Sequence, residues 1–558
     1  MANARLSELQ ALRLRFDPEA RARRFELLRA LRRIRLASAR DVSDYHELLC
    51  FARAYPDDVE LLAEVERQLG AFGRRADLRR KRRALEDSGI AGTEIRFRFF
   101  WPMARWLCRR WPERLRVDWA RFTRKRELEK ILPFLVSYSE TPALDELALS
   151  PRDWLEKLRA PGETDAAFLV RRFEALAAED SLREALYDRH DPALRLRPGD
   201  DTPSRTRAFV PLARTAFQTA PLATGRPDLA REAARVRLRV HVARPELAQR
   251  LIDLAHESMV TRSRDLDVFS NADARDVRLV DCGDGLSFAC FGARPERRLL
   301  LESVYGFLTL KNGVPIGYVL TAALFGSAEI AYNVFETFRG AEAAHVLARV
   351  LAMTRRLFGA RTFSIDPYQL GGLGNTEGLR SGAWWFYYKL GFRPRDPEVK
   401  RVLRGELARM KVDPRHRSDA ATLGRLASAH LHFSPGAPSA TTLGELSPGE
   451  TGLRVARLLA ERWGSDRERG LRECSREGAR RLGLRSFAGW SAGERLWWQR
   501  WSPLLALLPD LETWSAAERR AAVEVIRAKG GVRESDFVKA LSAQRRLQRG
   551  IRQLATLD

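Results

Sequence analysis

The sequence has few cysteines, few lysines and no long apolar run, and each shortage excludes a class of protein. Its five cysteines are Cys50, Cys108, Cys282, Cys290 and Cys474, and none forms a CxxC pair. Because zinc sites and disulfide frameworks need ligands at close, regular spacing, neither is predicted and no metal ligand is assigned. No uncharged run reaches the roughly 18 apolar residues that a membrane helix requires, so no membrane span is predicted.

Several catalytic and targeting signatures are also missing. The opening stretch MANARLSELQALRLRF lacks the apolar core of a signal peptide, which with the scattered cysteines predicts a reduced, cytoplasmic protein. No Ser/His/Asp triad is recognisable, and the glycine run 371–374 lacks the Lys-Ser/Thr of a phosphate-binding P-loop. His430 and His432 have no other metal ligand near them in sequence, and we interpret them as solvent-facing residues of a helix-to-loop segment.

The charge balance is strongly positive. Lysine and arginine number 98 against 73 acidic residues, which gives a formal net charge of +25. Such a charge attracts polyanions, so nucleic acid is a possible partner. Only about ten of the basic residues are lysine, which is equally typical of the codon bias of a GC-rich genome. The segment 96–119, RFRFFWPMARWLCRRWPERLRVDW, also allows two interpretations, because aromatics interleaved with arginine suit either a stacking platform for nucleic acid or a core helix.

Hydropathy periods divide the chain into four consecutive regions. Residues 1–160 have a helical period, 161–235 form a less regular connector, and 236–396 mix strands with helices. Residues 397–558 are helical again, with a Pro/Ser/Thr-rich interruption at 432–452. Within the third region VRLRVHV begins an alternating pattern at Val236, and Asn312-Gly313 predicts a tight hairpin. The predicted fold class is α+β, with a central, mostly antiparallel sheet flanked by N- and C-terminal helical regions. Further strand candidates are VRLVD, LSFACFG, SVYGFLTL, PIGYVLTAALF, AEIAYNVF and RTFSID.

Two segments of the third region carry a family resemblance. VFETFRGAEAAHVL resembles the strand, glycine turn and helix of GNAT acyltransferases, and WFYYKLGFRP resembles their last helix and following strand. A helix and a strand separate the two segments, as in that family. The chain between about 236 and 394 is therefore identified as a GNAT-like domain, while the flanking regions resemble no family.

The resemblance implies a coenzyme A site in the first segment. In this family a helix N-terminus and its glycine turn bind the pyrophosphate, because backbone N–H groups and the helix dipole attract anions. The preceding strand end offers backbone groups to the pantetheine arm. Glu342 stands where the family has a second glycine. The residues expected to contact acetyl-CoA or another acyl-CoA are Val334, Phe335, Arg339, Gly340, Ala341, Ala343 and Ala344.

The resemblance also implies catalytic roles. Tyr387 matches a tyrosine that protonates the departing thiolate, a general acid role, whereas Tyr388 should face a different surface of its helix. For the general base we favour Glu336, with Glu329 as the alternative. Polar residues of the following loop are candidates for contacts with the acceptor; they are Asp366, Tyr368, Gln369, Asn375 and Glu377.

Three functions are compatible with these patterns. The first is N-acyl transfer from acyl-CoA to an amine of unknown identity. The second is a GNAT-shaped scaffold without catalysis, carried in a basic protein that binds nucleic acid or another polyanion. The third is an aminoacyl-tRNA-dependent transferase, since such enzymes resemble this fold without its coenzyme loop.

Overall fold

The computed structural model describes residues 2–211, 214–235, 237–436 and 446–555. The protein is mixed α+β and 56% helical, with a large mixed sheet and a small antiparallel sheet. Two compact units divide it. The first comprises 1–221, 249–271 and 310–315, and the second comprises 222–248, 272–309 and 316–558. Among the described residues, no helix combines the length and the apolar character that a membrane span needs.

The chain up to residue 221 is mainly helical, and its core is aromatic. Trp101 and Trp111 of the segment 96–119 are 0% and 4% exposed and pack with Leu107 and Tyr187. This segment therefore forms a core and not an exposed stacking platform. Three short strands pair antiparallel in the order Ile95–Phe97 (β1), Leu194–Leu196 (β3) and Leu115–Val117 (β2). The elements are α1 Ala2–Ala11, α2 Pro18–Arg33, α3 Ala39–Ala54, α4 Val59–Phe72, α5 Ala76–Lys81, β1 Ile95–Phe97, α6 Trp101–Arg110, β2 Leu115–Val117, α7 Lys125–Leu135, α8 Thr141–Glu146, α9 Pro151–Leu158, α10 Asp165–Ala175, α11 Asp180–His190 and β3 Leu194–Leu196.

The next part of the chain builds the large sheet. Its elements are α12 Leu229–Arg235, β4 Arg239–Val242, α13 Pro245–Val260, α14 Asp267–Ser270, β5 Ala272–Asp281, β6 Leu286–Ala293, β7 Ser303–Lys311, β8 Val314–Leu324, β9 Ser327–Val334, α15 Ala343–Phe358, β10 Thr362–Ile365, α16 Pro367–Leu370, α17 Thr376–Ser381, α18 Ala383–Lys389, β11 Arg393–Pro394, α19 Pro397–Val412, α20 Ala420–Leu426 and β12 Leu431–Phe433. Nine strands of the described chain pair in the order β11-β12-β10-β9-β8-β7-β6-β5-β4. β9 and β10 run parallel, whereas β10 and β12 run antiparallel.

The hairpin between β7 and β8 confirms its sequence signal. Asn312 and Gly313 have φ values of 49° and 78°, so both central residues adopt the left-handed conformation of a type I′ turn. Asparagine and glycine tolerate this conformation better than other residues, which is why the dipeptide predicted the turn.

The remaining helices belong to the second unit and share its core. They are α21 Pro448–Trp463, α22 Arg467–Leu482, α23 Ala492–Leu507, α24 Ala516–Gly530, α25 Glu534–Ala543 and α26 Arg545–Ala555. Trp497 and Trp501 of α23 are buried in the same cluster as Phe288 and Tyr305 of the sheet. The Arg298 guanidinium donates to the carbonyls of Lys529 and Gly531, 2.6 and 2.7 Å away, at the end of α24.

Two expectations from the sequence need correction. His432 does not lie in a helix-to-loop segment but within β12, whereas His430 lies in the loop between α20 and β12 and immediately precedes the strand. Strand β12 lies where the predicted helical region gives way to the predicted Pro/Ser/Thr-rich interruption at 432–452, and neither prediction included a strand. Residues 437–445 of that interruption lie outside the described residues. A strand of three residues is too short to show the alternation on which a sequence prediction depends. The strand predicted from Val236 is described from Arg239, and Val236 itself lies outside the described residues.

Candidate functional site

The second unit contains a cavity of about 430 Å³ where the second half of β9 and the residues after β10 lie apart. Its wall combines a strand end, a glycine turn, a helix start and a loop. The lining residues are Ala223, Thr224, Tyr332, Asn333, Val334, Arg339, Gly340, Ala341, Ala343, Ala344, Gln369, Asn375, Glu377, Gly378, Ser381, Ala383, Phe386 and Tyr387.

The cavity lies where β9 extends beyond the residues that pair with β10. The two strands pair only from Thr362↔Ser327 to Ser364↔Glu329, while β9 stays paired with β8 as far as Val334. The Phe335 N–H donates to the Ile316 carbonyl of β8 at 3.0 Å. Since backbone groups alternate in direction along a strand, those of Val334 face away from β8. The strand end thus turns backbone groups toward the cavity side.

The start of α15 supplies backbone N–H donors. Glu342 is the N-cap residue but its side chain does not cap the helix, and the first turn closes with Val346 N–H on the Glu342 carbonyl at 2.8 Å. The N–H groups of Ala343 and Ala344 precede that bond and have no carbonyl within the helix to receive them. Both residues line the cavity, so the positive end of the helix dipole is directed at it.

The turn before the helix requires a glycine. Gly340 has φ of 83°, a conformation that other residues adopt only with strain, and it lines the cavity beside Arg339 and Ala341. Glu342, which replaces the second glycine of the family pattern, is not among the described lining residues. The described wall of the cavity thus does not include the carboxylate at this position.

One ion pair lies in the cavity wall. Arg339 contacts Glu377 through its guanidinium, and its Nε also donates to the Val334 carbonyl at 3.3 Å. Arg339 and Glu377 are 42% and 52% exposed, and such a pair contributes only about 0–1 kcal/mol. Breaking this ion pair therefore costs little free energy.

Tyr387 is the buried titratable group of the cavity. Its side chain lines the wall at 3% exposure and packs edge-on against Phe392, with ring centroids 5.5 Å apart. Burial raises the pKa of the Tyr387 phenol above its ordinary value, so the group keeps its proton at neutral pH. Tyr388 instead stacks on Trp384 at 5.3 Å and lies under Arg393, which confirms that it faces a different surface.

The remaining predicted residues divide into two groups. Gln369, Asn375 and Glu377 line the cavity with Tyr387. Phe335 is buried against Tyr318, and Glu336 is exposed in a short turn that follows β9; neither is among the lining residues.

The other three acidic or aromatic candidates also lie outside the wall. The Tyr368 side chain is 49% exposed. Asp366 caps α16 by accepting from Tyr368 N–H at 2.7 Å, and Glu329 contacts His430 instead of the cavity. The structure thus separates both predicted base residues, Glu336 and Glu329, from Tyr387.

The sequence analysis missed several lining residues. Tyr332 and Asn333 belong to β9, where alternation alone gives no reason to single them out. The Tyr332 hydroxyl donates to the Ala343 carbonyl at 3.1 Å and so ties the strand to the helix start. Ala223 and Thr224 come from the connector, which has no motif that could identify them.

Comparison with family models, with curated proteins and with solved structures finds no match for this chain.

Proposed function

We propose that the second unit is a GNAT-like N-acyltransferase that binds acyl-CoA in the cavity at the start of α15. The observation that carries the proposal is the meeting of four groups in one cavity: the uncapped N–H groups of Ala343 and Ala344, the Gly340 turn, the backbone edge at Val334 and the phenol of Tyr387. The first two suit a pyrophosphate, the third an extended amide arm and the fourth a leaving thiolate.

The proposed reaction is direct attack by an amine on the thioester carbonyl. The amine nitrogen forms the new C–N bond, the C–S bond breaks, and the Tyr387 phenol gives its proton to the thiolate. Because Glu336 lies outside the cavity wall, we assign the removal of the amine proton to water. Asn333, Gln369 and Asn375 supply polar groups that can orient the acceptor.

Release of the coenzyme thiol tests the proposal. The full chain is incubated with acetyl-, propionyl- and longer acyl-CoAs and with pools of amino acids, polyamines and peptides. We expect thiol release that depends on at least one pool, and Tyr387→Phe should lower its rate by about 10² to 10⁴-fold.

The affinity for acyl-CoA should stay within about 3-fold in the same variant, because the proton is given only after binding. An unchanged rate in Tyr387→Phe would assign this tyrosine to packing. Thiol release in none of the pools, together with no binding of acetyl-CoA, would contradict the function itself.

A further inference from the structure

Polar side chains lie on one face of the large sheet, at the neighbouring strands β9, β10 and β12. In register, Ser364 of β10 lies between Glu329 of β9 and His432 of β12. Residues in register share a face, and so do residues two apart along one strand. Asp366 follows Ser364 by two residues and His430 precedes His432 by two, so each falls on that same face.

Three of these residues converge on one point. The Nε2 atom of His430 lies 3.1 Å from Oε2 of Glu329 and 3.6 Å from Oδ2 of Asp366. The three ligand atoms all lie within 4.8 Å of one another. A tetrahedral ion with bonds of about 2.0–2.2 Å holds its ligands roughly 3.3–3.6 Å apart. The separation between His430 and Asp366 falls in this range, whereas that between His430 and Glu329 is shorter, at 3.1 Å, and must widen when an ion binds. One imidazole nitrogen can give a proton to only one of the two carboxylates, whereas a cation satisfies both.

The surroundings also point to a ligand. Ser364 is 0% exposed, and its Oγ has no hydrogen-bond partner although it lies on the same face between the register partners Glu329 and His432. A buried hydroxyl without a partner costs about 1–3 kcal/mol, and water bound to an ion here would supply the partner.

The orientation of one of the two carboxylates is fixed by a hydrogen bond. Asp366 uses Oδ1 to accept from Tyr368 N–H at 2.7 Å, which fixes the direction of Oδ2. Glu329 lines a cavity of about 120 Å³ with Ala322, Leu324 and Pro448 among its other walls. Neither His430 nor Asp366 lines that cavity, so an open position at the ion would face solvent through the partly exposed side chains of the three ligands.

We propose that His430, Glu329 and Asp366 bind one divalent transition-metal ion of the zinc class through Nε2, Oε2 and Oδ2. The imidazole ligand disfavours Mg²⁺ and Ca²⁺, which take oxygen ligands. Three protein ligands and an open position are typical of zinc sites that bind water or substrate, whereas structural sites have four protein ligands. The three side chains keep 23–36% exposure, which gives the ion a path of entry.

The site is independent of acyl transfer but lies close to it along the chain. Asp366 begins the loop whose residues Gln369, Asn375 and Glu377 line the coenzyme cavity. An ion that joins β9, β10 and β12 would hold the start of this loop. Sequence analysis assigned no metal ligand because these three ligands come from distant parts of the chain, without the close spacing of known metal motifs.

Titration with Zn²⁺ alone tests the proposal. The full chain is first treated with a chelator and dialysed, and Zn²⁺ binding is then followed by calorimetry. We expect one tight equivalent, and His430→Gln, Glu329→Gln and Asp366→Asn should each weaken it by at least about 100-fold, since even outer-shell partners cost roughly 10 to 100-fold. His241→Gln is the matched control, because His241 is an exposed histidine of β4 outside the cluster.

Titration with Co²⁺ adds a signature that a structural role cannot produce. A four-coordinate Co²⁺ ion absorbs strongly in the visible range, and these bands should be lost in His430→Gln and kept in His241→Gln. Should His430→Gln fail to fold, as seen by circular dichroism, the other two variants decide, since both keep the shape of the replaced side chain.

Zn²⁺ binding as tight in these variants as in the natural protein would overturn the proposal. Absence of a micromolar site in the natural protein would overturn it equally, and would leave the cluster as a histidine that contacts two carboxylates.

Discussion

At the scale of single residues, the coenzyme proposal depends on which charges face the cavity. Arg339 is the cation of the wall and Glu377 is its anion, and the two are paired. A phosphate would have to compete with the Glu377 carboxylate for Arg339 and would also be repelled by it. Glu342, the residue that most departs from the family pattern, is not part of this competition because its side chain is not in the wall.

Removal of the competing carboxylate should therefore strengthen coenzyme binding. We expect Glu377→Gln to tighten acetyl-CoA binding by several-fold, and the gain should shrink as salt is raised, because exposed charges are screened. Calorimetric titration at two salt concentrations measures both effects. Glu336→Gln removes a nearby exposed carboxylate outside the wall and should leave the affinity unchanged. Weaker binding in Glu377→Gln would show that Glu377 holds Arg339 in place for the ligand.

Buried carboxyl groups of the first unit make its stability depend on pH. Burial raises the pKa of Asp265 to about 7, although its carboxylate accepts from Ser270 Oγ at 2.8 Å and from Phe100 N–H at 2.9 Å. Burial likewise raises the pKa of Asp188 to about 6 and that of Glu257 to about 7. The folded protein thus binds protons that the unfolded chain, with carboxyl pKa values of about 4, has already released.

The stability of the first unit should therefore fall as the pH rises. Groups whose pKa is raised on folding stabilise most at low pH, and that contribution is lost as the pH rises from about 4 to about 7. We expect the first unit to be less stable at pH 8 than at pH 6, and Asp265→Asn should reduce the difference. Urea unfolding at both pH values measures it. An equal or larger difference in Asp265→Asn would show that Asp265 is not a source of the effect.

At the scale of elements, α23 and α24 approach each other closely. A Cβ atom built on Gly530 would lie 2.3 Å from the Gly493 carbonyl oxygen, and one on Gly493 would lie 2.5 Å from that of Gly530. Only glycine allows two backbones to come so near. The same contact lies beside the buried ion pair of Lys529 and Glu534, and burial lowers the pKa of Lys529 while Glu534 opposes this shift.

The contact predicts a difference between two neighbouring glycines. Gly530→Ala should reduce the free energy of unfolding by about 1–3 kcal/mol, because its methyl group would overpack the helix interface. Gly531→Ala is the matched control, since its Cβ would meet the Ala528 oxygen at an ordinary 3.4 Å with φ of −71°. It should be neutral or slightly stabilising. Thermal unfolding of both variants measures the contrast, and equal stability would show that the helices can move apart at no cost.

Elements differed in how far the sequence could predict them. The Asn312-Gly313 turn and the long helix α15 follow from local chemistry, a tolerated positive φ and a sustained helical period. Strand β12 could not be predicted, because its three residues are held by pairing with β10 and β11. The lining role of Thr224 is set in the same way by tertiary packing, which no local pattern reports.

At the scale of the whole molecule, the two units are interleaved along the chain. The first unit takes back residues 249–271 and 310–315 after the second has begun at 222, so neither unit is one continuous stretch. The sequence predicted four consecutive regions because hydropathy periods change along the chain and carry no information on such returns. Truncation is consequently a poor way to isolate the cavity, and functional tests should use the full chain.

The net charge is also a property of the whole chain. Arg109 and Arg110, basic neighbours in the aromatic segment, pair with Glu174 and Asp253. Two of the positive charges of that segment are thus paired with carboxylates from elsewhere in the chain. Burial of the segment 96–119 removes one candidate platform for nucleic acid, and the ligand site that we propose is instead the cavity beside α15.

Titration calorimetry of acetyl-CoA with the full chain tests the central claim most directly. Two variants are compared, one with a charge placed inside the cavity and one with a charge placed outside it. Ala344→Glu puts a carboxylate in the wall at the start of α15, and His345→Glu puts one in the same helix turn outside the described wall. The account predicts one-to-one binding by the natural protein and a loss of at least about 10-fold in Ala344→Glu, with a clearly smaller loss in His345→Glu. Acetylpantetheine, which lacks the pyrophosphate, should not distinguish the two variants. No binding of acetyl-CoA by the natural protein at millimolar concentration, or equal losses in both variants, would contradict a pyrophosphate site at this helix.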